Sequence, residues 1–226
     1  MKFITSYIFV FLLMFVSCKG EKKYHDTNEQ HVVVSDTISS EVKAKQLSKY
    51  ESAVAFQKEI NEEYTNPKES PLTKEDFIGF ESLDFFTIDT TFNVTATLER
   101  TPNAQPFLMP TTTDKSSEEV LYGILHFELH GKPFQLNVYQ SLQLRETEAY
   151  RDYLFLPFSD KTNGETTYGG GRYIDLRIPE GDTITIDFNK AYNPYCAYNK
   201  KYSCPIVPKE NTLDYAITAG VKKFKK

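Results

Sequence analysis

The sequence predicts a mainly β domain, either an antiparallel β-sandwich or a partly closed barrel, entered through one N-terminal amphipathic helix. Three observations carry this. From residue 80 onward, aromatic and β-branched runs alternate with Gly, Pro, Asn and Asp at short intervals. Several of those runs alternate apolar and polar residues with a period of two. Residues 40–64 instead repeat their apolar positions at roughly helical spacing. Internal repeats, heptads and a nucleotide-type βαβ pattern are absent from the sequence. A β region of about 145 residues is long enough to bury a core of its own.

The chain opens on a targeting pattern. Lys2 precedes an apolar run from Tyr7 to Val16, and Ser17 stands directly before Cys18. This is the order of a secretory signal, and the run is shorter than the about 20 residues a spanning helix needs. Val16-Ser17-Cys18 resembles a bacterial lipobox, with Phe15 where Leu is more usual. The resemblance implies cleavage after residue 17 and a lipid on Cys18, against the alternatives of plain secretion or an uncleaved anchor. The expected address is the cell envelope, with the protein held to a membrane and facing the periplasm or cell surface. Removing residues 1–17 takes away one lysine and no acid, which moves the formal charge from −5 to −6. That balance gives no footprint for nucleic acid, whose binders carry basic patches. The basic end, residues 221–226, reads as a solvated tail or a short contact to anionic headgroups.

Residues 18–40 are polar and read as a flexible tether, with His25 and His31 solvated. Residues 41–226 form the single domain. Leu47, Tyr50, Val54 and Ile60, flanked by Ala53 and Phe56, form the predicted apolar stripe of the helix. Ser39 or Ser40 is the candidate cap, and Pro67 and Pro71 end the helix. Residues 92–98 alternate as a strand. In the next strand Leu121, Gly123, Leu125, Phe127 and Leu129 share one face, and Tyr122, His126, Glu128 and His130 share the other. Gly131-Lys132 turns the chain into residues 134–138. A second hairpin is predicted from Tyr173–Ile178 into Thr183–Phe188, and Leu213–Thr218 is predicted as a last strand.

Candidate chemistry concentrates in residues 160–211, where Tyr, Asn, Gly and Pro crowd together. Gly169-Gly170-Gly171 permits positive φ and close approach. It opens onto a strand and not a helix, so a bulge or tight loop is preferred over a phosphate cradle. Arg172 can clamp an anion or pair structurally with Asp175 or Glu165, the preferred reading. Cys196 and Cys204 either form a disulfide, as export would favour, or stay as two buried thiols. A metal or catalytic role for them is the weakest reading, since no four-ligand Cys and His set at zinc spacing is present. His126, Glu128 and His130 could hold a metal between two of them, but a solvated polar face is preferred. Asp175 and Asp187, expected on neighbouring strands, could do acid–base work.

The strings Thr-Tyr-Gly-Gly-Gly-Arg-Tyr-Ile-Asp-Leu at 167–176 and Asn-Lys-Ala-Tyr-Asn-Pro-Tyr-Cys-Ala-Tyr at 189–198 identify a resemblance. Residues 202–206, 208–213, 85–89 and 153–160 extend it. Together they resemble the bacterial family called domain of unknown function 1684, from about residue 45 to Gly220. The resemblance implies no activity, cofactor or catalytic set. Similar members occur with and without export signals, which weighs against an obligatory disulfide.

The leading functional expectation is a binding module. Its cleft would take a small polar ligand between Tyr168, Arg172, Tyr173, Asn193, Tyr195, Tyr198 and Asn211. The rivals are a hydrolase acting through Asp175, Asp187, Glu210 or Cys196, and a purely structural segment that seals one end of the barrel.

Overall fold

The computed structural model describes residues 47–225. The signal segment, Cys18, the tether and the proposed caps Ser39 and Ser40 lie outside the described residues.

Helix α1 spans Lys49–Thr65. Ser48 starts it with a capping box: its hydroxyl accepts the Glu51 N–H, and the Glu51 carboxylate accepts the Ser48 N–H. Such a cap contributes about 1 kcal/mol. The helix stops at Asn66, before Pro67, as the sequence predicts. Its buried face keeps only part of the predicted stripe, Ile60 with the flanking Ala53 and Phe56. Ala53, Phe56, Ile60 and Tyr64 face inward, whereas Leu47, Tyr50 and Val54 are exposed. Both series have helical spacing, so periodicity alone does not choose between them. The inward series carries the rings of Phe56 and Tyr64, which fill an aromatic core with Tyr139, Tyr153, Phe155, Tyr173 and Tyr198.

The strands are β1 Asn93–Arg100, β2 Phe107–Pro110, β3 Ser116–Leu129, β4 Lys132–Ser141, β5 Tyr153–Phe158, β6 Arg172–Arg177 and β7 Thr183–Asp187. They form one antiparallel sheet in the order β6-β5-β4-β3-β1-β7, with β2 beside β3. The sheet curls into a half-barrel. Its concave side holds a core of Leu125, Leu136, Leu154, Leu156, Ile174, Ile186 and Phe188, among others. The aromatic core under α1 covers the other face. Every residue of β5 is therefore buried.

His130 and Gly131 turn β3 into β4 with φ of 50° and 75°. This suits a two-residue hairpin loop and lies one position before the predicted turn, because Leu129 pairs with Lys132. Within β3 a bulge leaves Tyr122 opposite no residue of β4, since Leu121 pairs with Tyr139 and Gly123 with Val138. The extra residue reverses the alternation. Tyr122 joins the concave core with Leu125, and Leu121 packs on the aromatic side, contrary to the predicted faces.

The predicted second hairpin is corrected. β6 pairs with β5, and β7 pairs with β1, so the two strands are the opposite edges of the sheet. Their apolar residues still meet, since Ile174, Leu176, Ile184, Ile186 and Phe188 share the concave core. Curling the sheet brings its edges round to one interior without a ladder between them. The predicted strand at 213–218 is also corrected. Residues 212–215 make a single bridge to the chain after β5, with the Leu213 N–H donating to the Ser159 carbonyl and the Lys161 N–H to the Tyr215 carbonyl. Beyond it side chains take over, since Asp160 accepts the Ile217 N–H and Arg172 donates to the Ile217 and Ala219 carbonyls. Residues 221–224 of the basic tail are docked and not a free solvated end. Lys222 pairs with Asp84 at 3.0 Å, and the Phe224 ring packs against Tyr198 and Phe80.

Candidate functional site

The seven predicted site residues do not line one cleft. Arg172 begins β6 and points into the end of the half-barrel, wholly buried. Its Nη2 donates to Asp160 Oδ2 at 2.9 Å and to the Ile217 carbonyl at 2.9 Å, while Nη1 reaches the carbonyl of Ala219. The buried partner is Asp160 and not Asp175 or Glu165. The other oxygen of Asp160 accepts the Thr162 N–H and hydroxyl and the Ile217 N–H. Arg172 and Asp160 thus join β6, the loop after β5 and the C-terminal segment. Asp160-Lys161-Thr162 has the form of an Asx-turn, the one sequence signal that could have singled out Asp160.

Asn211 solves a different problem. Pro157 sits on β5, an interior strand, and has no N–H to give to β4. The register of Tyr139 with Phe155 sets Asn137 opposite Pro157. The buried Asn211 amide bridges them, accepting the Asn137 N–H at 2.9 Å and donating to the Asn137 carbonyl at 2.8 Å and the Pro157 carbonyl at 2.6 Å. A side chain replaces the missing ladder bonds.

Asn193 and Tyr198 are also fully buried, with the Asn193 amide donating to the Tyr198 hydroxyl at 3.2 Å and to the Lys222 carbonyl at 3.0 Å. Tyr173 donates to the Pro205 carbonyl and stacks edge-on with Phe155. Tyr195 donates to Glu63 of α1, and burial followed by the Glu63 charge pushes its phenol far up. Only Tyr168 and Tyr195 of the seven reach even partial exposure.

The carboxylates of the hydrolase reading are separated as well. Asp175 accepts the hydroxyls of Tyr153 and Tyr192, at 2.8 and 2.6 Å. Asp187 lies on the opposite edge strand, where it caps a short turn through the Asn189 N–H. His126 bonds Glu99 at 2.9 Å. His130 lies between Thr91 and Tyr215, 2.8 Å from each. Among the described residues no group of three or more His, Cys, Asp or Glu could hold a metal ion.

Two places among the described residues bring together groups suited to chemistry. The first is a cleft of about 400 Å³ between the β3–β4 hairpin and residues 210–214. Phe134 and Leu213 are its apolar wall, and His126, Gln135, Glu210 and Asp214 bring polar groups. His126 and Gln135 are paired across β3 and β4. Asn211, by clamping the 209–211 turn to β4, holds Glu210 at the rim. Sequence reasoning noted His126 and Glu210 separately and missed the cleft, because its walls are 75 or more positions apart. The second is the contact of Cys196 with Cys204. No disulfide joins them, and the Cys196 N–H donates to Cys204 Sγ at 3.1 Å. Hydrogen bonding from Cys204, and then from Tyr168 and Thr112, brings the Cys196 thiol down to about 7.

The family model described as a protein of unknown function (DUF1684) matches residues 78–222. The chain belongs to this family. The match contains every strand of the sheet, the Asp160–Arg172 pair, Asn211 and both cysteines of this DUF1684 domain. The domain is also similar to an uncharacterized protein of Haloarcula marismortui, known from a solution NMR structure, with 32% identity and a TM-score of 0.61 over 76% of this chain and 94% of that one. No curated protein matches the chain.

Proposed function

We propose that this DUF1684 protein is a lipid-anchored protein of the cell envelope whose domain binds a small polar ligand. The ligand would lie in the cleft between the β3–β4 hairpin and residues 210–214. The observation that carries the reading is that cleft. Its volume of about 400 Å³ falls in the range of small-molecule sites, and it sets Gln135 and Glu210, with the Glu99-bonded His126 and the Lys161-paired Asp214, around a wall of Phe134 and Leu213. Lys161 pairs with Asp214 at 2.7 Å, which leaves the exposed Glu210 carboxylate at the rim to favour a ligand that carries hydrogen-bond donors or a positive charge. Arg172, Asn193, Tyr198 and Asn211 are committed to internal partners, which supports a ligand at this cleft and not among them.

A thermal-shift screen of amines, amino acids and sugars on the full chain tests the binding reading. A stabilising ligand is expected to lose its effect in Glu210→Gln and in Gln135→Ala, both exposed positions. A ligand that stabilised these variants as strongly as wild type would remove the cleft as its site. The anchor rests on the sequence of residues 1–18 and has its own test. Cells fed labelled palmitate are expected to label wild type and not Cys18→Ser; label retained in Cys18→Ser would overturn the lipid assignment.

A further inference from the structure

We propose that Cys196 and Cys204 form an oxidisable dithiol, in which Cys196 reacts with small hydroperoxides and Cys204 resolves the product to a disulfide. This does not rest on the ligand reading of the cleft. The geometry assigns the two roles. Cys196 is partly exposed on the short turn Tyr195–Ala197, and Cys204 is buried behind it. The Cys204 sulfur lies 3.1 Å from the Cys196 backbone nitrogen, so the thiols belong to one contact. The Cys204 N–H is held by the Thr112 hydroxyl at 3.1 Å, which anchors the resolving strand of chain to the sheet side.

Tyr168 completes the group, with its hydroxyl 4.0 Å from Cys196 Sγ. A glycine makes that placement possible. A Cβ on Gly170 would come within 2.5 Å of the Tyr168 ring. The Gly169-Gly170-Gly171 string thus places a phenol against the partly exposed thiol. Hydrogen bonds from Cys204 and Tyr168 favour a thiolate at Cys196 near neutral pH. Burial, reinforced by the Cys196 charge, pushes the Tyr168 phenol up to about 12, so it stays a proton donor.

The chemistry balances in two steps. The Cys196 thiolate attacks the terminal oxygen of ROOH and the O–O bond breaks. The released alkoxide takes the proton lost by the thiol and leaves as ROH, with Cys196–SOH formed. Cys204 then attacks that sulfur, the S–O bond breaks, and water leaves as the disulfide closes. Two thiols supply the two electrons that reduce the peroxide, and an external dithiol restores them.

The test treats the full chain in detergent with hydrogen peroxide, followed by non-reducing peptide mapping. Wild type is expected to give one Cys196–Cys204 disulfide, reversed by dithiothreitol. Cys204→Ser is expected to accumulate a sulfenic acid at Cys196 that dimedone traps, and Cys196→Ser to leave Cys204 unoxidised. Tyr168→Phe is expected to slow the oxidation of Cys196 severalfold with the disulfide still the product. Wild-type protein that kept both thiols under peroxide would overturn the proposal. So would Cys204 oxidation in Cys196→Ser at the wild-type rate. An unchanged rate in Tyr168→Phe would remove Tyr168 from the site.

Discussion

Arg172→Met is expected to lower the unfolding free energy by about 3–5 kcal/mol, the cost of leaving one member of a buried ion pair alone. Both side chains of the Arg172–Asp160 pair are wholly inaccessible. Met fills most of the volume but donates nothing. The Asp160 carboxylate then keeps only neutral donors, and the Ile217 and Ala219 carbonyls lose the guanidinium. Against a typical total of about 5–15 kcal/mol, this is a large fraction of the stability. Urea denaturation of the full chain measures it. Asp160→Asn separates charge from hydrogen bonding, because Asn can still accept the Thr162 and Ile217 N–H groups through one oxygen. The double variant Asp160→Asn/Arg172→Met is therefore expected to be more stable than Arg172→Met alone. An Arg172→Met protein within about 1 kcal/mol of wild type, the range of an exposed pair, would refute the keystone role. The same result governs how activity data are read, since a function lost on changing Arg172 would report the fold before it reported a ligand contact.

Asn211→Asp is expected to destabilise more than Asn211→Ala, and both by about 3 kcal/mol or more. Each buried polar group left without a partner costs about 1–3 kcal/mol, and the Asn211 amide serves three: the Asn137 N–H, the Asn137 carbonyl and the Pro157 carbonyl. Alanine strands all three. Aspartate can still accept the Asn137 N–H, but it sets a carboxylate oxygen against two carbonyl oxygens where two donor bonds stood. A coupling to Pro157 follows from the same geometry. Pro157→Val restores an N–H to β5, so Asn211→Ala is expected to cost less in that background than in wild type. Urea midpoints for the four combinations measure the coupling, and amide exchange at Asn137 reports the local break. Additive effects, or an Asp variant as stable as wild type, would show that Asn211 does not carry the β4–β5 gap.

The two residues show why residues 160–211 were legible as important but not in kind. Clustered Tyr, Asn, Gly and Arg have the composition of a polar binding surface, and they have equally the composition of a segment that must satisfy an irregular backbone in a closed interior. Burial distinguishes the two, and burial depends on what packs over the segment. For Arg172 the covering piece is residues 217–221, for Asn211 it is β4 and β5, and for Tyr198 it is α1 through Tyr64. None of these is near in sequence.

Local pattern sufficed where local physics decides. A period of two in residues 92–98 and 121–129 places strands there, and a helical period ended by Pro67 places α1, because backbone propensity and amphipathicity act over a few residues. The sequence also determined the mainly β class, the likeness of residues 1–18 to a lipoprotein signal, and the family. Tertiary structure alone decided the face of α1 that is buried, the bulge at Tyr122, the edge positions of β6 and β7, and the contact of Tyr168 with Cys196. Each of these depends on a partner many positions away. The curl of the sheet is the clearest case: Ile174 and Ile186 look like facing members of a hairpin, yet they meet because two opposite edges close on one core. A side-chain pattern specifies which face seeks the interior, and only the closed sheet specifies which neighbour is found there.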